Sequence, residues 1–262
     1  MTSRLAIVGG GNMGAALLGG LIAAEWATPG ELAVCEVSGP RRDVLAEQFP
    51  GVTISAGVEP CASAVIAVKP GDAAAAVREA VTAGARRIVS IAAGVSIEAL
   101  ESAAGEGVAV VRSMPNTPAL VGEGAAAIAG GSSAGPDDLD WAEGILAAVG
   151  TVVRVPEHQL DAVTGLAGSG PAYVFLVAEA LVDAGVLAGL PRPVSESLVT
   201  QLLVGSAALL RERGDAAQLR AMVTSPGGTT AAGLRRLEEA SVRSAMLEAV
   251  MAATARSREL AG

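Results

Sequence analysis

The sequence predicts an α/β fold: a doubly wound, mostly parallel sheet followed by a wholly helical C-terminal part. Three observations carry this. Short apolar runs alternate with helical stretches up to residue 156. A glycine cluster separates the first run from the first helical stretch. After Pro156 the pattern becomes long helical segments broken only by "GSGP", "GLPRP" and "SPGG".

The apolar runs are read as strands in order: "RLAIV", "LAVCEV", "VTIS", "AVIAV", "RIVSIA" and "VAVVRS", with "AAAIAG" and "TVVRV" as two further edge strands. The gaps between most of them leave room for crossover helices, which parallel pairing requires. The expected division is residues 1–158 for the sheet and 159–262 for the helical part. At 262 residues either part has ample material for a core. Because 51% of residues are hydrophobic but only 2% aromatic, that core must be built from Ala, Val, Leu and Ile. Ala-rich helices approach closely, which suits interlocked helical assemblies.

Charge narrows the partners. The net charge is −9 with no basic run, which argues against nucleic acid. The overall field does not attract anions, so any anion site must be local. Two cysteines, Cys35 and Cys61, and one histidine, His158, are too few for a disulfide framework or a typical zinc site. The greasiest stretch, "PAYVFLVAEALVDAGVLAGL", carries Glu179 and Asp183 at helical spacing. It is expected as a buried or interface helix rather than a membrane span, in a cytoplasmic protein.

"VGGGNMG" places Gly9, Gly11 and Gly14 in the spacing G-x-G-x-x-G between a strand and a helix. In that context the motif binds a dinucleotide in a Rossmann-type sheet. Gly9 makes the tight turn, Gly11 admits the pyrophosphate and Gly14 lets helix and strand pack. Glu36, at the end of the second strand, is placed to bond the ribose hydroxyls of NAD. Ser38, Arg41 and Arg42 follow it and suit a 2′-phosphate, so both NADPH and NADH stay open. "AVKPGD", "SIAAGVS" and "RSMPNTPALVGEG" fall at strand ends, where open sheets of this kind bind ligands. Lys69 is the only lysine.

"SPGGTT", residues 225–230, stands before the helical run "AAGLRRLEEA". Its glycines and the free N–H groups of a helix start suit a small anion. His158, in "VPEHQLDAV", is expected at the surface or a hinge. Tyr173, two residues past Pro171, is expected as a packing or interface residue.

Taken together, "IVGGGNMGAALLGGL", "VIAVKP", "SIAAGVSI", "RSMPNTPALVGEGAAAI", "DAVTGLAGSGPAYVF" and "MVTSPGGTTAAGLRRLEE" resemble the Δ1-pyrroline-5-carboxylate reductases over nearly the whole length. The stretch from Glu36 to Arg42 departs from that pattern. The resemblance implies hydride reduction of the ring C=N of pyrroline-5-carboxylate to L-proline with NAD(P)H, the last step of proline synthesis. It implies a C-terminal dimerisation domain and association as a dimer or a ring of dimers. By the same resemblance Ser225, Gly227, Gly228 and Thr229 take the substrate carboxylate and Thr230 bonds the ring nitrogen. The cofactor set is Gly9, Gly11, Asn12, Met13, Gly14, Ser38, Arg41, Val68, Lys69, Pro70, Ala92, Ala93, Gly94, Met114 and Asn116. Lys69, Ala93, Met114 and Asn116 are expected on its nicotinamide side. A hydroxyacid dehydrogenase with a catalytic lysine in the helical part is disfavoured, because no lysine follows residue 69. A non-catalytic nucleotide sensor would have no use for "SPGGTT".

Overall fold

The structure is a computed structural model that describes residues 2–261, the side chain of residue 261 excepted. The first half builds one sheet from β1 (Leu5–Val8), β2 (Leu32–Cys35), β3 (Thr53–Ser55), β4 (Ser63–Ile66), β5 (Arg87–Ser90), β6 (Ala109–Met114), β7 (Gly124–Gly130) and β8 (Gly150–Arg154). Its spatial order is β3-β2-β1-β4-β5-β6-β7-β8. All neighbours are parallel except β6 and β7, which run antiparallel.

That one reversal has a local cause. Helices α1 (Asn12–Ala23), α2 (Gly39–Gln48), α3 (Ala73–Thr82), α4 (Ile97–Ala104) and α5 (Pro136–Leu146), and a loop between β3 and β4, carry the chain back so that the next strand runs parallel. Between β6 and β7 stands only a short 3₁₀ turn, Thr117–Val121, closed by Gly122 at φ +76°. No helix stands there, and β7 turns back to pair with β6 as its direct neighbour in the sheet.

Strands β1, β2 and β4 are buried at every position, as their unbroken apolar sequences require of strands covered on both faces. One face packs Ile7, Val34 and Val111 against Leu17, Leu18, Leu21 and Ile145 of α1 and α5. The other packs Ile66, Ile88 and Val110 against Val77, Ala80 and Leu100 of α3 and α4.

The rest is helical, as expected: α6 (Leu160–Val163), a π-turn at Thr164–Gly168, α7 (Gly170–Leu187), α8 (Arg192–Arg213), α9 (Ala216–Met222), α10 (Thr229–Glu239) and α11 (Val242–Ala261). Compactness divides the chain elsewhere than at 158/159: residues 1–169 with 251–262 form one unit and 170–250 the other. Two contacts account for the difference. Leu160 is buried with Ile97, Ala127 and Ala129 in a third apolar cluster on the sheet. The last turns of α11 return to the first unit, where the Ser257 hydroxyl donates to Asp161 Oδ1 at 2.7 Å.

Candidate active site

In the first unit the glycine loop joins β1 to α1. Gly9 has φ +107°, and a β-carbon there would strike the Ala67 carbonyl. At Gly14 a β-carbon would strike the Gly9 carbonyl, so helix and turn are in backbone contact. At Gly11 it would meet nothing within 4 Å. The backbone at Gly11 therefore faces open space at the start of α1, where N–H groups lack intrahelical acceptors. This is the cradle a pyrophosphate needs.

A cavity of about 590 Å³ opens beside it, lined by Gly9, Gly11, Glu36, Val68, Lys69 and Asp72 among others. Of the expected cofactor residues, Gly9, Gly11, Val68 and Lys69 thus share one cavity. Lys69 precedes the 3₁₀ turn that begins at Pro70, at the carboxyl end of β4. Asn12 and Met13 open α1. Cys35 also lines the cavity. Burial pushes its thiol up from the ordinary range, and the nearby Glu79 and Glu36 charges push the same way, so it presents a neutral SH.

Beyond β2, Ser38 caps α2 and Arg41 lies in its first turn. Arg41 Nε donates to Gly10 O at 2.7 Å, and Arg42 Nη1 donates to the carbonyls of Glu36 and Val37 at 2.8 and 2.9 Å. Glu36 accepts from the backbone N–H groups of Gly10 at 3.0 Å and Ser38 at 2.8 Å. Sequence reasoning passed over Gly10. A β-carbon there would collide with Leu45 Cδ1, and the run of three glycines is the signal for it.

Ala92, Ala93 and Gly94 follow β5, with Gly94 at φ +76°. Ala92 is buried and its N–H reaches Ser90 Oγ at 3.3 Å, while Ala93 is exposed. Met114 ends β6 and Asn116 follows it, and both are engaged within this unit. Asn116 Nδ2 donates to Ala167 O at 3.0 Å, and Asn116 Oδ1 accepts from Ala125 N–H at 2.8 Å. Met114 packs so closely on Gly168 that a β-carbon on Gly168 would overlap its terminal methyl. These two side chains therefore grip the π-turn. His158 is exposed in the turn Glu157–Gln159. Its neighbour Glu157 pairs at 2.9 Å with Arg112, whose side chain is largely buried.

In the second unit "SPGGTT" forms the start of α10. Gly227 has φ +66°, and Gly228 is the N-cap with no side-chain cap bond. Gly228 N–H donates to Ser225 O at 3.1 Å, while a β-carbon on Gly228 would overlap Ser225 Oγ. Only glycine lets the Ser225 hydroxyl lie this close to the helix start. Thr229 and Thr230 are the first two residues of α10, and their N–H groups have no intrahelical acceptor. One hydroxyl and these N–H groups thus converge on a helix terminus whose dipole favours an anion. Tyr173 is half-buried in the first turn of α7.

Comparison with known proteins bears on both units. Residues 157–260 match the family described as pyrroline-5-carboxylate reductase dimerisation, and residues 4–94 match that described as NADP oxidoreductase, coenzyme F420-dependent. A pyrroline-5-carboxylate reductase of Synechocystis is 46% identical, the match covering 99% of each chain. The solved pyrroline-5-carboxylate reductase of Coxiella burnetii has a TM-score of 0.92 at 34% identity, covering 100% of both chains. That of Plasmodium falciparum, solved with NADP bound, has a TM-score of 0.85 at 31% identity, covering 99% of this chain and 98% of that one. With near-complete coverage at such identity, the chain belongs to the pyrroline-5-carboxylate reductase family.

Proposed function

We propose that this chain reduces the C=N bond of L-1-pyrroline-5-carboxylate to give L-proline, with NADPH as reductant and NADH as the alternative. The observation that carries the site assignment is the uncapped, glycine-shaped start of α10 with the Ser225 hydroxyl against it.

NADPH, when bound, supplies the hydride that reduces the imine carbon. Gly9, Gly11, Asn12, Met13 and Gly14 hold its pyrophosphate, with Ser38 and Arg41 at the 2′-phosphate. Val68, Lys69, Pro70, Ala92, Ala93, Gly94, Met114 and Asn116 form the strand-end edge that faces it. Asn116 and Met114 act there by fixing the backbone of the π-turn, since their side chains are already engaged. Ser225 and the N–H groups of Gly227, Gly228, Thr229 and Thr230 hold the substrate carboxylate. The Thr230 hydroxyl bonds the ring nitrogen, orienting the C=N and stabilising the product amine. A protonated cyclic imine is already electrophilic, so the residues contribute position more than acid–base chemistry.

The dimerisation domain is taken as residues 159–262 and the nucleotide domain as 1–158, with dimers or rings of dimers in the cytoplasm. The first test is consumption of NADPH, followed at the nicotinamide absorbance band, when pyrroline-5-carboxylate is added, with proline identified as product. Thr230→Ala is expected to cost about 1–3 kcal/mol of transition-state stabilisation, a fall in kcat/KM of roughly 5- to 150-fold. Ser225→Ala is expected to act mainly on the substrate KM. Unchanged kinetics in both variants would remove "SPGGTT" from the site.

A further inference from the structure

The acid at the end of β2 holds the position from which such sheets usually bond the ribose of a dinucleotide. Here it has other work. Glu36 Oε2 accepts the Gly10 N–H at 3.0 Å and Oε1 accepts the Ser38 N–H at 2.8 Å. The other end of the same glycine is also held, since Gly10 O accepts from Arg41 Nε at 2.7 Å. Arg42 Nη1 fastens the intervening turn through the carbonyls of Glu36 and Val37. Gly10 itself has no slack: a β-carbon would overlap Leu45 Cδ1 and come within 3.2 Å of Glu36 Cβ. Swinging the carboxylate towards a ribose would leave at least one of these amides without its acceptor.

Resting on the dinucleotide reading above, we infer that Glu36 is a positioning residue. It clamps the glycine loop to the turn between β2 and α2, and discrimination at the ribose 2′ position belongs to Ser38 and Arg41. Charge agrees with this division. Two guanidinium groups and one carboxylate bond the backbone of this corner, two positive charges to one negative, at the N-terminus of a 10-residue helix. Arg41 uses only Nε to hold Gly10, and the exposed Ser38 supplies a hydroxyl. A phosphate monoester suits such a corner. The two carboxylate bonds do not depend on whether the ribose carries a phosphate, so their loss should harm both nucleotides alike.

The test is a binding titration of the full chain with NADPH and with NADH, without substrate, for Glu36→Gln, Glu36→Ala and Arg41→Ala, followed by steady-state kinetics. Each Glu36 variant is expected to weaken NADPH and NADH by the same factor, about tenfold for Glu36→Gln, the size of one lost bond to a charged group, and more for Glu36→Ala, which loses both. KM for the nucleotide should rise while kcat at saturation stays within about twofold, as for an interaction that binds ground and transition states equally. Arg41→Ala should weaken NADPH about tenfold more than NADH, through the loss of a charge-assisted phosphate contact.

A Glu36 variant that loses NADH while keeping or gaining NADPH would show a ribose acceptor and overturn the inference. So would unchanged affinity, or a lowered melting temperature with unchanged affinity. Binding that follows the expected pattern in a chain that makes no proline would defeat the proposed reaction and leave the role of Glu36 standing. A wild-type chain that binds neither nucleotide would defeat both.

Discussion

A β-carbon added to Gly14 would run into the carbonyl oxygen of Gly9, whereas one added to Gly11 would meet no heavy atom within 4 Å. The two glycines belong to one motif, and the residue alphabet alone gives them the same meaning. Their surroundings separate them. Gly11 also has φ −64° and ψ −170°, a conformation open to any residue. Gly11→Ala should therefore leave the melting temperature nearly unchanged, because glycine and alanine differ by only a few tenths of a kcal/mol to about 1 kcal/mol at such a position. It should still weaken nucleotide binding, since the added methyl occupies the space the pyrophosphate approaches through. Gly14→Ala must instead push backbone from backbone, a strain of about 1–3 kcal/mol, and should lower both melting temperature and nucleotide affinity. Thermal melts beside binding titrations distinguish the cases. A Gly11→Ala chain that binds NADPH as the wild type does would remove the pyrophosphate from that position.

At the scale of elements, the grip of Asn116 on the π-turn is the contact that sequence reasoning could not supply. Its amide joins the start of β7 to Ala167, which lies 51 residues beyond Asn116, and the turn it holds leads directly into α7. π-turns inside helices recur at functional sites because the widened turn displaces backbone groups from the regular ladder. Asn116→Ala should leave the Ala125 N–H and the Ala167 carbonyl to water, a cost of about 1 kcal/mol. Hydrogen exchange at residues 164–169 is expected to quicken while exchange in β1 and β4 stays slow. Unchanged exchange at the turn would mean the amide bonds hold nothing in place. The strands, by contrast, were legible, because strands covered on both faces read as unbroken apolar runs such as "LAIV" and "AVIAV". "AAAIAG" and "TVVRV" were legible as strands, but of the two only β8 is an edge: β7 lies between β6 and β8, and its direction, set where no helix follows Met114, could not be read. The glycine loop and "SPGGTT" could be read because their chemistry is local. The return of α11 to the first unit could not, since nothing in "VRSAMLEAVMAATARSREL" sets Ser257 apart from its other small residues and its bond to Asp161 spans 96 residues.

For the molecule as a whole, the helical hairpin of α7 and α8 sets the requirement. The two helices meet closely where Gly185 faces Ser195, whose hydroxyl donates to Val182 O at 2.8 Å. That contact covers little of their apolar surface. Phe175 and Leu176 on α7 are 63% and 65% exposed, and Leu198, Leu202 and Val204 on α8 are exposed as well. Helices apolar on most sides are covered either by protein or by lipid. By length and hydropathy alone, residues 157–187 and 192–213 would satisfy a membrane. Yet Asp183 and Arg192 pair at 2.8 Å on this hairpin with both side chains more than half exposed, and Glu179 stands one turn away. Charges in such positions are costly in hydrocarbon and ordinary at the rim of a protein interface. Membership of a family with a dimerisation domain points to the same cover, a second copy of this chain. Exposed aromatic side chains anchor such interfaces, their truncation typically costing about 2 kcal/mol or more. Phe175→Glu should therefore shift the sedimentation profile of the purified chain towards the monomer at concentrations where the wild type is associated. Its far-ultraviolet circular dichroism should be retained, showing that the helices persist. If the wild type instead remains monomeric without detergent, or is recovered only with membranes, the second copy is not what covers α7 and α8.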